Sequence, residues 1–283
     1  MPHEVLMVAG VRVPKFLYGT AWKEDATQRL AELAVRTGFR GIDTANQRRH
    51  YHEAAVGKAI SAVVAGGLVA RDDLFVQTKF TFRHGQDHRL PYDADAPIAV
   101  QVEQSLASSL AHLETDTIDS YLPHGPTQRT GLAAADWEAW RAMEAIHDSG
   151  RVRLLGVSNF TLEQLRLLCD QARIRPSFVQ NRCYAVRRWD FRVRGFCTAH
   201  GIVYQGFSLL TANRDALAHS QMARIAKRHD RTVSQLVFRF ALDVGILPLT
   251  GTTSAEHMRQ DLDVFDFQLD PQEVDRIESL IAA

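Results

Sequence analysis

Cysteine is scarce in this chain. Its three cysteines, Cys169, Cys183 and Cys197, are an odd number with no CxxC pair among them, and a chain of this length builds a core without disulfide staples. No apolar run approaches the roughly 18 residues that a membrane helix requires. No sign of charge dominates, since 33 basic residues balance 33 acidic ones. A surface built to neutralise nucleic-acid phosphates or an anionic membrane is therefore not expected. No GxGxxG follows a strand-like segment, which excludes the dinucleotide-binding fold that carries that fingerprint. The opening residues show no basic leader before an apolar run, and Gly10, Arg12 and Pro14 interrupt what apolar character there is. Linkers rich in Pro, Gly or Ser are also missing. These absences lead to three expectations: one domain over residues 1–283, a reducing and cytoplasmic setting, and a monomer, because no exposed apolar stripe stands out.

What is present is alternation. Short runs of β-branched and aromatic residues recur at 16–19, 41–43, 74–79, 117–122, 152–156, 178–180, 202–206 and 247–250. Between them lie stretches with apolar residues at three- and four-residue steps: 26–37, 53–65, 98–112, 137–149, 162–172, 190–200, 216–228 and 255–263. Eight strand-helix repeats fit a closed (β/α)8 TIM barrel with a parallel sheet. Thr161 with Gln164 reads as a capping box and Gly150 as a left-handed helix stop. Residues 4–13 read as a hairpin turning at Ala9-Gly10. The longest poorly periodic stretches, 82–97 and 124–135, each follow a strand, so both belong at the C-terminal face, where barrel active sites form.

Several polar side chains stand at strand ends: Asp43, Lys79, His124, Asn159 and Gln180. Singly, each has a plain reading. Lys79 can be a solvated side chain, His124 a loop residue before Gly125-Pro126, and Asp43 a cap for the following helix. A closed barrel brings all of them to one rim. Here the chain resembles the aldo-keto reductases. The segment Gly38-Phe39-Arg40-Gly41-Ile42-Asp43-Thr44-Ala45 carries the resemblance, as do Tyr51-His52-Glu53, Phe75-Val76-Gln77-Thr78-Lys79 and Ile118 through His124-Gly125-Pro126. Gly156-Val157-Ser158-Asn159-Phe160 is the most specific match, and similarity continues through Gln180, 202–208 and 251–262.

The resemblance implies four catalytic residues, Asp43, Tyr51, Lys79 and His124. A carbonyl that accepts hydride gathers negative charge on oxygen and needs a proton and donors there. A phenol titrates near 10, so the lysine ammonium is expected to lower it while the aspartate holds the lysine. His124 orients the substrate. One departure bears on this. Relatives place the tyrosine five residues after the aspartate, where Arg48 stands, and the segment 46–51 looks like a two-residue insertion. Counting back from Glu53 puts His50 in the tyrosine slot. Tyr51 is the only phenol in the loop and is taken as the acid, with a shifted or lost acid as the alternative. No metal site is expected, because His50 and His52 lack a third ligand.

For the cofactor, the resemblance implies a nicotinamide dinucleotide lying across the barrel mouth. Gly19, Thr20 and Asp43 flank it, Ser158, Asn159 and Gln180 hold the carboxamide, and Phe207 either stacks on the ring or is a core aromatic. Ser208 and Leu210 sit beside the pyrophosphate, with Thr250, Gly251, Thr252, Thr253, His257, Gln260 and Asp261 around the adenosine. Family preference is for NADPH. Thr253 and His257 stand where relatives often carry basic residues for the 2′-phosphate, which leaves NADH open. Trp22, Tyr51, Phe82 and His124 are the expected substrate pocket for a small carbonyl or alcohol. Gly125 and Ala21 replace two large rings, so the pocket is expected to be roomier unless Trp22, Phe82 or Trp189 refills it. The alternatives to a reductase are a nicotinamide-binding barrel with a regulatory or redox-sensing role, and non-redox lyase or isomerase chemistry.

Overall fold

The computed structural model describes residues 4–280. The chain begins with an antiparallel hairpin, β1 (Val5–Val8) and β2 (Val11–Pro14). Its turn residues Ala9 and Gly10 have φ of 44° and 81°, the positive values that a tight two-residue hairpin turn demands. Eight parallel strands then close a barrel in the order β10-β3-β4-β5-β6-β7-β8-β9. They are β3 (Leu17–Gly19), β4 (Gly41–Asp43), β5 (Phe75–Phe80), β6 (Ile118–Pro123), β7 (Val152–Ser158), β8 (Phe178–Arg182), β9 (Val203–Phe207) and β10 (Ile246–Thr250). The architecture is the (β/α)8 TIM barrel, and each expected strand is found within two residues at either end.

The helices between strands are α1 (Thr27–Thr37), α2 (Glu53–Ala65), α3 (Ile98–Leu113), α4 (Ala134–Asp148), α5 (Leu162–Gln171) and α6 (Phe191–His200). The expected 216–228 helix is two, α7 (Arg214–Ala218) and α8 (Ser220–Arg228). His219 leaves helical geometry between them, and its Nδ1 accepts the Gln221 N–H. After α9 (Val233–Asp243) and α10 (Ala255–Leu262) the described chain ends in α11 (Pro271–Ser279). Neither α9 nor α11 was among the expected helices, yet each opens on a capping box, Thr232 with Gln235 and Asp270 with Glu273.

Two packed regions hold the barrel. The larger lies between strands and helices. The smaller fills the bottom of the barrel with Leu17, Phe75, Leu154, Phe178, Leu247 and Leu249, and the hairpin residues Val11 and Val13 close it from below. Side chains alternate faces along a strand, so the next inward residues above this apolar floor are Asp43, Gln77, Gln180 and Gln205, all buried. The interior therefore changes from hydrocarbon to amide and carboxylate toward the C-terminal rim. Such a layer is stable only if every polar atom finds a partner.

Candidate active site

The rim layer meets that demand around Asp43. Lys79, on β5 and fully buried, donates its three protons to Asp43 Oδ1 (2.6 Å), Asp43 Oδ2 (2.7 Å) and the Thr44 carbonyl (2.9 Å). Asp43 Oδ1 also accepts from Gln77 Nε2 (2.8 Å) and Gln180 Nε2 (2.9 Å). Gln205 ties the two amides together by accepting from both and donating back to Gln77. Burial pulls the Lys79 ammonium below its ordinary value, and the Asp43 carboxylate opposes that. Sequence reasoning missed Gln77 and Gln205. The available signal was period two, since Gln77 shares a face with Lys79 and Gln205 with Phe207.

Tyr51 faces the same place. Its ring centroid lies 5.7 Å from that of His124 and 5.6 Å from Lys79 Nζ. The extra residues of the 46–51 segment are absorbed in a turn, with the His50 and Tyr51 N–H groups both donating to the Gln47 carbonyl. The loop after β5 fixes this turn from outside: Gln47 Nε2 donates to Gly85 O (2.6 Å) and Gln86 Nε2 to Asn46 O (2.8 Å). Arg48, five residues after Asp43, points away and pairs with Glu24 at 3.5 Å. His50, the residue in the tyrosine slot by count, also lines the cavity and stacks against Trp22 with ring centroids 3.9 Å apart.

The electrostatics differ from expectation at one point. Burial, and then the Asp43 carboxylate, push the Tyr51 phenol upward rather than down. The three Lys79 protons are committed to Asp43 and Thr44, so the cation and its carboxylate largely cancel at the phenol. His124 is pushed the other way, down to about 3, by burial first and then by the Lys79 and His50 charges. Its imidazole is neutral across the physiological range. His124 Nδ1 lies 2.8 Å from Thr81 Oγ1, the His124 backbone N–H donates to Phe80 O, and the His124 carbonyl accepts from Asn159 Nδ2 (2.7 Å).

These groups open into a cavity of about 1460 Å³, larger than the roughly 300–1,000 Å³ of common small-molecule sites. Ser158, Asn159, Gln180 and Phe207 line one part of it, beside Asp43 and Gly19. Their donors are turned inward: Ser158 Oγ donates to Gln180 O, and Asn159 Nδ2 bonds His124 O and Ser158 Oγ. Ser208, at φ 57°, and Leu210 also line the cavity. Thr250, Gly251, Thr252, His257, Gln260 and Asp261 line the far end. Asp261 is buried there with Oδ2 unpartnered among the described residues, and burial pushes its carboxyl up to about 6 against the Thr250 hydroxyl and His257. An orphaned acceptor at one end suits a ligand with hydrogen-bond donors there. Lys23, overlooked in the sequence, lies at the same wall and donates to Gly251 O.

Four expected residues stand outside the cavity lining, among them the buried Lys79, which is bonded to Asp43. Phe82 is buried on Phe80, ring centroids 5.0 Å apart, because its side chain turns into the barrel-helix core. Thr20 is buried with its hydroxyl on Asp43 O (3.0 Å), and Thr253 is exposed beyond the rim. Trp189 does not refill the pocket either. It packs on Phe240 with its indole N–H toward Ile277 O. Trp22 does line the cavity and is 69% exposed. Among the described residues no cluster of metal-ligating side chains occurs.

Comparison with known proteins bears on the same architecture. The model of the Aldo/keto reductase family matches residues 16–282. An uncharacterized oxidoreductase of Bacillus subtilis, YtbE, is 30% identical over 276 residues, spanning 96% of this chain and 90% of that protein. Glyoxal reductase of the same organism is 27% identical over 273 residues, with the same shares covered. A Bombyx mori aldo-keto reductase solved in complex with NADP superposes with a TM-score of 0.84 at 26% identity, covering 98% of this chain and 92% of that one.

Proposed function

The chain belongs to the aldo-keto reductase family, and from that premise we propose that it reduces a small aldehyde or ketone to the alcohol, or runs the reverse, with Tyr51 as general acid. As a family member it is an NAD(P)-dependent oxidoreductase acting on carbonyl groups. Residues 1–283 are read as one such domain. The observation that carries the assignment is that Tyr51, His124 and Asp43 line one cavity, with the buried Lys79 bonded to Asp43 and 5.6 Å from the Tyr51 ring.

Bound NADPH supplies hydride from its nicotinamide, and the remaining requirements fall on the chain. The carbonyl oxygen gains negative charge as its carbon is reduced. Tyr51, held above its ordinary pKa, keeps its proton through the neutral range and yields it to that oxygen once the oxygen becomes the stronger base. Neutral His124 donates a hydrogen bond to the same oxygen and aligns the carbonyl. The Lys79 ammonium offsets only that part of the phenolate's charge that Asp43 does not cancel; Asp43 and the Thr44 carbonyl hold the ammonium, and Gln77 and Gln180 hold Asp43. Asn159 and Gln180 spend their amide N–H groups on His124 O and Asp43, and their amide oxygens, without a donor among the described residues, would accept from the carboxamide beside Ser158. Phe207 would hold the nicotinamide ring, Ser208 and Leu210 the pyrophosphate, with Gly19 alongside and Thr20 buried behind it on Asp43 O. Residues between Thr250 and Asp261 would hold the adenosine. NADPH is the cofactor assigned, on the strength of the NADP-bound relative. NADH is the second reading, because Thr253 and His257 offer no permanent cation to a 2′-phosphate.

Steady-state nicotinamide absorbance with NADPH, NADH and a panel of aldehydes tests this directly. Tyr51→Phe is expected to lower kcat about 100-fold or more while cofactor affinity stays unchanged. Undiminished turnover in that variant would refute the acid assignment.

A further inference from the structure

Resting on the functional reading above, we infer that Thr81 is a positioning residue that fixes His124 in its Nε2–H tautomer, so that the imidazole offers a proton, and not a lone pair, to the substrate. A neutral imidazole carries one N–H, on either ring nitrogen. In the cavity the two choices are opposite in effect. An Nε2–H donates to a carbonyl oxygen that is becoming negative, whereas a bare Nε2 repels it.

The choice follows from where the Thr81 proton goes. Thr81 is 4% exposed, and its hydroxyl has one partner among the described residues, His124 Nδ1 at 2.8 Å. Were Nδ1 protonated, it would donate to Thr81 Oγ1 and the hydroxyl proton would be buried without an acceptor. With Nδ1 bare, the hydroxyl donates to it, both groups are satisfied, and the ring proton is left on Nε2. The lowering of the imidazole already argues against the doubly protonated ring.

The Thr81 side chain is itself held in one orientation. A Cβ on Gly85 would sit 2.7 Å from Thr81 Cγ2, so the methyl group fills the space that this glycine leaves. The Thr81 carbonyl accepts the Tyr92 hydroxyl at 2.8 Å, and the His124 backbone is pinned at both N–H and carbonyl. These bonds fix the two backbones, and the methyl contact at Gly85 sets the Thr81 rotamer that turns its hydroxyl to His124. Thr81 touches neither cofactor nor substrate and acts through His124 alone.

Imidazole ¹⁵N–¹H correlation spectra of the unliganded protein test this, with the His124 signals assigned by their loss in His124→Gln. The wild type is expected to show the Nε2–H pattern. Thr81→Val, close in shape but without the donor, should show an added Nδ1–H population and a fall in kcat of about tenfold or more at unchanged cofactor affinity. Thr81→Ser should restore both readouts. A wild-type Nδ1–H spectrum overturns the inference, and so does a Thr81→Val protein whose spectrum and kcat match the wild type. If the valine variant does not fold, the wild-type spectrum alone decides. An Nε2–H spectrum in a protein that reduces no carbonyl leaves the tautomer standing and removes the functional reading instead.

Discussion

Replacing Asp261 by Asn should make the unliganded protein more stable at neutral pH, by an amount that can be worked out. Burial raises the Asp261 carboxyl from 3.8 to about 6. A raised carboxyl means that the folded state prefers the neutral acid, so the protein is most stable below the unfolded value and loses stability as pH climbs through the interval. At 1.36 kcal/mol per pH unit, that interval corresponds to about 3 kcal/mol lost by pH 7. Asn cannot ionise and does not incur the loss. The stability difference between Asp261→Asn and wild type should therefore grow between about pH 4 and 6 and level off above it. For a chain of this size about 3 kcal/mol corresponds to a Tm shift of roughly 5 °C. Urea midpoints measured across a pH series on unliganded protein provide the assay. A stability difference that stays flat with pH would refute the burial argument, whatever its sign.

Lys79→Met should destabilise by about 3 kcal/mol, because it strands the buried Asp43 carboxylate. Asp43→Asn in the same protein should recover much of that stability but no activity, as denaturation and turnover measured side by side would show. Gly57→Ala places a Cβ 1.9 Å from the His112 carbonyl, where α2 crosses α3. It should lower the urea midpoint by an amount equivalent to about 1–3 kcal/mol without altering the substrate profile. Thr253→Lys adds a cation beside Lys23 at the adenosine end and should raise the NADPH-over-NADH ratio of kcat/KM about tenfold.

The barrel was legible because its signal is carried by many residues at once. Alternating strand and helix periodicity placed eight strands, and the capping chemistry of Thr161 placed α5 closely. Helix α9 escaped although its start was legible, since Thr232 and Gln235 form a capping box ahead of the buried Leu236, Val237, Phe240 and Ala241. At the site, strand-end position and family likeness nominated Asp43, Tyr51, Lys79 and His124. The residues that hold them were harder to find. Gln77, Gln205 and Thr81 matter through partners at long sequence separation, and nothing in the linear order names those partners. Phe82 was misplaced for a related reason, since proximity to Lys79 in sequence does not fix which way a ring turns after a strand ends.

Gly85 has a further consequence. Its carbonyl receives the Gln47 amide that anchors the turn before Tyr51, and its missing side chain seats the Thr81 methyl behind His124. One small residue on a loop outside the barrel thus joins the supports of both groups that would meet the carbonyl oxygen. A chimera that transplants the 46–51 turn into a relative without this loop would import the phenol but not its footing. The two stretches form one exchangeable cassette and have to be moved together.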